Sequence, residues 1–217
     1  MPVPFESTPG SEPAVRSSTQ PAPCSVLSPV GVPAPWMLAF DLETTGLDPE
    51  VDRVTCACVY AGDGAGRVYF FGGDGRPGEA DDTPEAFFAL LDAASRLCAF
   101  NGARFDIPFL QIRYGLSDAR VGAWVLKLCD LYEACRLAFD SGFSLNALLA
   151  ANGMESKTGT GGDAVQLARD GRWDELAAYC LQDAAKTHAV SSLARVLLPT
   201  RRMGNVAWAR GPGFERA

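Results

Sequence analysis

From Met37 to Glu43 the chain reads Met-Leu-Ala-Phe-Asp-Leu-Glu and then runs into Thr44-Thr45-Gly46-Leu47-Asp48. No other stretch restricts the fold as strongly. A short, nearly continuous apolar run suits a strand covered on both faces, and such strands belong to sheets with helices packed on each side. Side chains alternate along a strand, so Asp41 and Glu43 point to the same side. Two neighbouring carboxylates at the end of a buried strand repel each other and lose hydration, a cost that a cation between them offsets. Oxygen ligands favour hard ions such as Mg²⁺ or Mn²⁺. A D-x-E triplet alone is also a common accident, with both acids already in a loop, so the remaining segments have to decide.

Residues 1–35 are rich in Pro, Ser, Thr and Ala and show no helical or strand period. Such a segment buries too little to offset its ordering entropy, and a disordered leader is expected. Arg16 is its one basic residue, too few for an organelle presequence. Strands are expected over 37–43, 51–61 and 66–72, with the glycine-rich 62–66 as a hairpin connection. After a loop at 72–82, Thr83 reads as an N-cap with Pro84 at the first helical position. The helix it opens reaches Ala94 and turns Phe87, Phe88, Leu90 and Leu91 inward. A fourth strand is expected at 96–100 and a helix within 101–114. Pro108 fits only the first turn of that helix, which puts Asp106 at its entrance, beside the end of the fourth strand.

Further on, the pattern predicts a fifth strand at 125–129, short helices at 130–139 and 144–151, and a loop at 153–162. Asp163 is read as the cap of a helix stopped by Gly171. A long helix is predicted from Trp173 to Leu198, ended by Pro199. Its inward stripe is Leu176, Cys180, Asp183, Thr187, Val190, Ala194 and Leu197. An aspartate inside that stripe needs a partner, and Tyr179, one turn earlier, shares its face. The tail, 199–217, carries Arg201, Arg202, Arg210 and Arg216 against Glu215 alone. It is read as a flexible basic tail, with solvation favoured over contact with a polyanion. The expected organisation is therefore a leader at 1–35, one domain at 36–198 and a tail.

A chain of 217 residues with 47% hydrophobic and 21% charged residues suits one soluble domain with a proper core. No apolar run reaches the ~18 residues of a membrane-spanning helix, and no secretory signal pattern opens the chain, so no membrane role is expected. Seven cysteines are scattered, and only Cys56 and Cys58 lie close together. That excludes a disulfide framework and a paired zinc motif and points to a reducing interior, nucleus or cytoplasm. A net charge of −7 excludes a broad basic face that grips duplex DNA. An enzyme acting on nucleic acid stays open, because cations bound to a carboxylate site offset its charge and a short single strand needs few phosphate contacts.

Three separated segments thus bring acids to one sheet edge: Asp41 and Glu43, then Asp106, then Asp183. On these residues the sequence resembles the DEDD superfamily of 3′–5′ exonucleases. Phe40-Asp41-Leu42-Glu43-Thr44-Thr45-Gly46-Leu47 is similar to its first motif and the stretch from Asn101 to Leu110 to its second. Tyr179-Cys180-Leu181-Gln182-Asp183 is similar to the third motif of the tyrosine branch, Y-x-x-x-D. The histidine branch would need His where Ala178 stands, and His188 lies about 140° around a helix from Asp183, so it is read as structural or solvated. The resemblance covers about 37–198. It implies an RNase H-like α/β fold: a mixed five-stranded sheet in the order 3-2-1-4-5, strand 2 antiparallel, with helices on both faces.

It further implies two-metal hydrolysis of a phosphodiester with a pair of Mg²⁺ or Mn²⁺ ions ~3.5–4 Å apart. In that scheme Asp41 bridges both ions, Glu43 and Asp183 complete one, and Asp106 supports the other through water. Tyr179 orients, and could help deprotonate, the attacking water; because a phenol of ordinary pKa ~10 is a poor base at neutral pH, metal activation is expected to do most of that work. Thr44, or the backbone after Glu43, either contacts the terminal nucleotide or closes the turn. Phe105 and Phe109 could stack on a base, with core packing favoured. Lys157 could meet a phosphate, but its loop lacks the P-loop order and an ordinary loop is the favoured reading. The expectation is a metal-dependent 3′–5′ exonuclease acting on single-stranded or frayed DNA or RNA 3′ ends, any proofreading requiring a separate polymerase or repair complex. The rivals are a catalytically silent nucleic-acid-binding or scaffold domain and an RNase H-like endonuclease; the position of Tyr179 argues against the latter. DNA against RNA, the pathway and the oligomeric state are left open by the sequence.

Overall fold

The computed structural model describes residues 37–62, 64–71, 82–139, 143–157, 159, 161–198 and 207–210. The leader, the loop at 72–81 and the tail apart from 207–210 lie outside the described residues. In chain order the first elements are β1 (Met37–Thr44), β2 (Val54–Tyr60), β3 (Gly66–Tyr69), α1 (Pro84–Ala93), β4 (Arg96–Ala99), α2 (Asp106–Tyr114) and α3 (Asp118–Leu126). They are followed by β5 (Leu128–Asp130), α4 (Leu131–Phe139), α5 (Leu145–Ala151), α6 (Gly161–Arg169), α7 (Trp173–Ser191), β6 (Arg195–Leu198) and β7 (Ala207–Arg210).

Alternation along β1 sorts the molecule into layers. Leu38, Phe40 and Leu42 face a core built with Phe87, Phe88 and Leu91 of α1, Ile107 and Leu110 of α2, and Trp124 of α3. Ala39, together with Cys56 and Cys58 of β2, faces Ala164 of α6 and Leu176, Tyr179 and Cys180 of α7. Each fully buried large side chain contributes about 1.5–3 kcal/mol, which is why the near-continuous apolar run of β1 becomes the centre of the sheet. The sheet has five strands in the order β3-β2-β1-β4-β5. β2 is antiparallel to β1 and to β3, whereas β4 is parallel to β1 and β5 parallel to β4. The strand order and mixed pairing expected for an RNase H-like α/β fold are therefore present, with helices on both faces.

Local signals placed α1 well. Thr83 accepts a hydrogen bond from the Ala86 N–H at 3.1 Å and Pro84 opens the helix. At its other end, the Lys127 ammonium donates to the carbonyls of Asp92 (2.7 Å) and Ala94 (2.8 Å), satisfying groups the helix leaves free. The Asp92 carboxylate ties α1 to α3: it accepts from the Trp124 indole at 2.7 Å and pairs with Arg120. Asp92→Ala is expected to lower stability by about 1–3 kcal/mol, chiefly by orphaning the indole N–H of a fully buried tryptophan, as chemical denaturation will measure.

Three expectations are corrected. Val125 and Leu126 end α3 rather than open a strand; the strand is β5, at 128–130. Their β-branched and aliphatic character suggested a strand, but the Ser117 side chain caps α3 through the Arg120 N–H and Trp124 anchors it in the core. α6 begins at Gly161, so Asp163 sits in its first turn instead of capping it. α7 stops at Ser191, seven residues before the predicted end at Leu198. Ser192 turns its hydroxyl onto the His188 carbonyl at 2.8 Å, and residues 195–198 leave to form β6 against β7. The Asn152 side chain holds β6 from outside the hairpin, accepting from the Leu197 N–H and donating to its carbonyl, both at 2.8 Å. Val196 and Leu198 pack on Leu148, Leu149 and Val190. Ala194, assigned to the inward stripe, is exposed.

Candidate metal and nucleic-acid site

β1 ends at a bulge between Glu43 and Thr44, after Asp41 and Glu43 have both been delivered to the α7 side of the sheet. The turn that follows is fixed by its own polar groups. Thr44 Oγ1 donates to the Gly46 carbonyl at 2.6 Å, and the Asp52 carboxylate accepts from Thr45 Oγ1 at 3.0 Å and from the Asp48 N–H at 2.9 Å. A Cβ at Gly46 would run into that Asp52 carboxylate, which would have to swing aside and give up these bonds. The Thr44 hydroxyl thus closes the turn.

Asp106 is the first residue of α2, at the sheet end beside β4, and is 4% exposed. Asp183 lies on the face of α7 that meets the sheet and is 7% exposed. The charges of Asp106 and Asp183 reach Asp41, and those of Asp41 and Asp183 reach Glu43. Burial pushes Asp41 well above the ordinary carboxylate range, and the charges of Asp106 and Asp183 push it further, against the pull of Lys157. Glu43 is pushed up to about 10, by burial first and then by Asp41. Burial raises Asp106 to about 7 although its own N–H and that of Leu42 stabilise the anion; Asp130 adds a repulsive charge. Burial also raises Asp183, with Lys157 opposing.

Buried carboxylates this crowded call for a counter-charge, and part of their hydrogen-bonding capacity is unused. Asp106 Oδ1 and Asp183 Oδ1 are buried with no hydrogen-bond partner. Ligand atoms of Asp41, Glu43 and Cys180 lie within 4.8 Å of one another. Cys180 donates to the Asp41 carbonyl at 3.7 Å, and Cys58 to the Cys180 carbonyl at 3.1 Å. Burial raises both thiols, Cys58 to about 12, and each is already turned onto a backbone carbonyl, so the carboxylate oxygens are the hard donors of the cluster. Those donors suit a hard divalent ion such as Mg²⁺ or Mn²⁺.

Lys157, for which an ordinary loop was the favoured reading, is held at this cluster. Its ammonium pairs with Asp183 Oδ2, donates to Tyr179 Oη at 3.1 Å, and its backbone N–H donates to Asn146 Oδ1 of α5 at 2.7 Å. Gly159, at φ +75°, lets the loop lie on Tyr179, where a Cβ would come within 3.1 Å of the ring. One signal could have located it. The chain has 19 Lys and Arg but only three lysines, and the other two, Lys127 and Lys186, each reach a specific backbone carbonyl. A compact point charge on a flexible stem suits such positions better than a planar fork. Tyr179 is 8% exposed; burial raises its phenol, and Asp183 raises it further, against Lys157. It therefore keeps its proton at neutral pH.

The remaining candidates separate. Phe109 is buried in the core, whereas Phe105 is partly exposed and packs on it with ring centroids 5.6 Å apart. His188 packs edge-on against Tyr60, at 5.5 Å, level with Ala39 and away from the acidic end of β1. Cys56, Cys58, Cys98, Cys135 and Cys180 are buried free thiols, and no helix among the described residues is long and apolar enough to cross a membrane. The residue that sequence reasoning missed is Asp130, read as an ordinary helix start; it lies under the Asp106 turn.

An α/β domain whose central strand ends in a carboxylate cluster facing one long helix is the class that fold and site define. Residues 38–194 match the profile of the RNase_H superfamily, and the chain belongs to that superfamily. No curated protein matches its sequence. Among solved structures it is similar to the family B DNA polymerase of the hyperthermophilic archaeon Pyrobaculum calidifontis, at 21% identity and a TM-score of 0.56 over 74% of this chain. The chain spans about a quarter of that polymerase, 25% of its length. Two weaker likenesses are to a nuclease in its apo form (21% identity, TM-score 0.47, 71% of this chain and 69% of that one) and to an exonuclease I (19%, 0.45, 71% and 39%). Only the polymerase likeness bears on the fold.

Proposed function

We propose that this protein is a metal-dependent 3′–5′ exonuclease of the tyrosine branch of the DEDD superfamily, acting on single-stranded or frayed DNA or RNA 3′ ends. The observation that carries the reading is electrostatic: Asp106 and Asp183 act on the charge of Asp41, Asp41 and Asp183 on that of Glu43, all four acids stand above their ordinary pKa, and Tyr179 is hydrogen-bonded to the lysine that pairs with Asp183. Membership of the RNase_H superfamily and the likeness to a DNA polymerase support a nucleic-acid substrate.

Asp41, Glu43 and Asp183 would hold one divalent ion, and Asp41 with Asp106 a second. When bound, such a pair supplies Lewis-acid activation of water and stabilises the charge on the leaving oxygen. The chain's own groups do the rest. Tyr179, protonated, orients water by hydrogen bonding rather than by removing its proton. Lys157 holds the phenol oxygen and offers its charge to a phosphate oxygen once Asp183 is engaged elsewhere. Lys157→Met, which keeps the stem and removes the charge, is expected to slow single-turnover cleavage by about 10²-fold. Less than a twofold loss in a quench-flow assay would remove Lys157 from the mechanism.

The test of the activity itself is digestion of 5′-labelled DNA and RNA oligonucleotides with Mn²⁺. Stepwise shortening from the 3′ end is expected, with a circular single strand left intact. Cutting of the circle would establish an endonuclease instead. One observation favours a second reading, a silent binding domain: Lys157 already neutralises one oxygen of Asp183. In that case Mn²⁺ would leave the thermal stability unchanged, because only a ligand that binds the native state stabilises it.

A further inference from the structure

We propose that Asp130 is a positioning residue for Asp106, its carboxylate setting the turn from which Asp106 enters the acidic cluster. The inference rests on the reading of that cluster as a metal site. Asp130 ends β5 and is 8% exposed. Its carboxylate is used by main-chain amides on two segments. Oδ1 accepts from the N–H groups of Asn101 (2.9 Å), Tyr132 (2.9 Å) and Glu133 (3.2 Å). Oδ2 accepts from Ala103 at 2.8 Å. One side chain therefore caps α4 and clamps the turn leading into α2.

That turn has little freedom of its own. Asn101 sits at φ +70°, the one non-glycine residue in the left-handed region among the described residues, a conformation that needs support from its surroundings. Its carbonyl accepts from the N–H groups of Arg104 (3.2 Å) and Phe105 (3.0 Å), and the Gly102 carbonyl from that of Ile107 (2.9 Å). A Cβ at Gly102 would stand 2.6 Å from Ala99 Cβ, 3.3 Å from the Phe40 ring and 3.7 Å from Asp106 Oδ2. The turn is thus pressed against the sheet end and against the Asp106 carboxylate. Asp106 opens α2 directly after this turn, so any rotation about residues 101–103 carries it along, and its Oδ1 makes no hydrogen bond that would resist the shift.

Asn at position 130 keeps the shape but replaces one accepting oxygen with a donor. With its oxygen toward Asn101, Tyr132 and Glu133, its NH₂ faces the Ala103 N–H and that side of the clamp opens. Outer-shell partners of this kind are worth about 10–100-fold in metal affinity or activity when lost. In the full-length protein, Asp130→Asn is expected to raise the Mn²⁺ concentration for half-maximal thermal stabilisation about tenfold and to lower kcat by a similar factor with KM unchanged. Thr83→Ala, which removes the α1 cap far from the cluster, is the control for lost stability alone and should leave both readouts as in the wild type. Wild-type Mn²⁺ stabilisation that Asp130→Asn does not alter, or an equal change in Thr83→Ala, overturns the positioning role by itself. A wild type without Mn²⁺ stabilisation overturns the metal-site reading and this inference together.

Discussion

Asp41→Asn is expected to abolish phosphodiester cleavage while making the metal-free protein more stable. Asp41 is the acid on which the cluster converges: Asp106, Asp183 and Lys157 all act on its charge. Loss of an anion shared by two metal positions is worth about 4 kcal/mol of transition-state stabilisation, or a ~10³-fold slower reaction. The stability gain has a separate cause. The folded protein holds a proton on Asp41 that the unfolded chain releases near pH 4, and that proton costs folding free energy at neutral pH. Asparagine is neutral in both states and has no such cost. The gain should therefore be absent at pH 4 and grow toward pH 8. For a chain of this length each kcal/mol corresponds to ~2–4 °C in Tm. Mn²⁺ should stabilise the wild type and not the variant. Undiminished degradation of a single strand by Asp41→Asn would end the site assignment, and a fall in its metal-free Tm at pH 8 would end the electrostatic account.

The second large effect is on pH dependence. Metal-free protein should lose stability as pH rises, and divalent ions should reverse the trend. Unfolded, Glu43 and Asp106 release their protons near pH 4; folded, they keep them to about 10 and about 7. Between those limits the unfolded state binds fewer protons, so stability falls with pH by up to ~1.4 kcal/mol per unit for each proton held only in the folded state. The contribution is complete below about pH 4, declines through pH 7 as Asp106 ionises, and continues to decline toward pH 10. Lys157, raised by its pairing with Asp183, stays charged throughout and does not alter the slope between pH 5 and 8. Bound ions replace those protons, so stabilisation by Mn²⁺ should increase with pH. Urea midpoints at pH 5 and pH 8, with chelator and with Mn²⁺, measure both slopes. A metal-free midpoint that rises between pH 5 and pH 8 would contradict the burial of these acids.

Much of this was legible because the signals are local. The apolar run of β1 and the two-residue spacing of Asp41 and Glu43 set the centre of the sheet and the shared side of the two acids. Thr83 and Pro84 set the start of α1. Pro108 set Asp106 at the entrance of α2, and the four-residue step from Tyr179 to Asp183 set their common helix face. Each depends only on backbone geometry over one strand or one helical turn.

What tertiary structure decided depends on partners distant in the chain. α7 ends at Ser191 because β6 finds β7 and the Asn152 side chain, 45 residues away. Lys157 is drawn out of a nondescript loop by Asp183, 26 residues on, because a buried carboxylate demands a cation. Asp130, one acid among many in the sequence, becomes a clamp only when β5 lies beside β4 and its oxygens meet amides 27 and 29 residues earlier. A residue's type and its local period fix the direction in which its side chain leaves the backbone. Which charge or amide waits there is fixed only when the sheet closes and water is excluded.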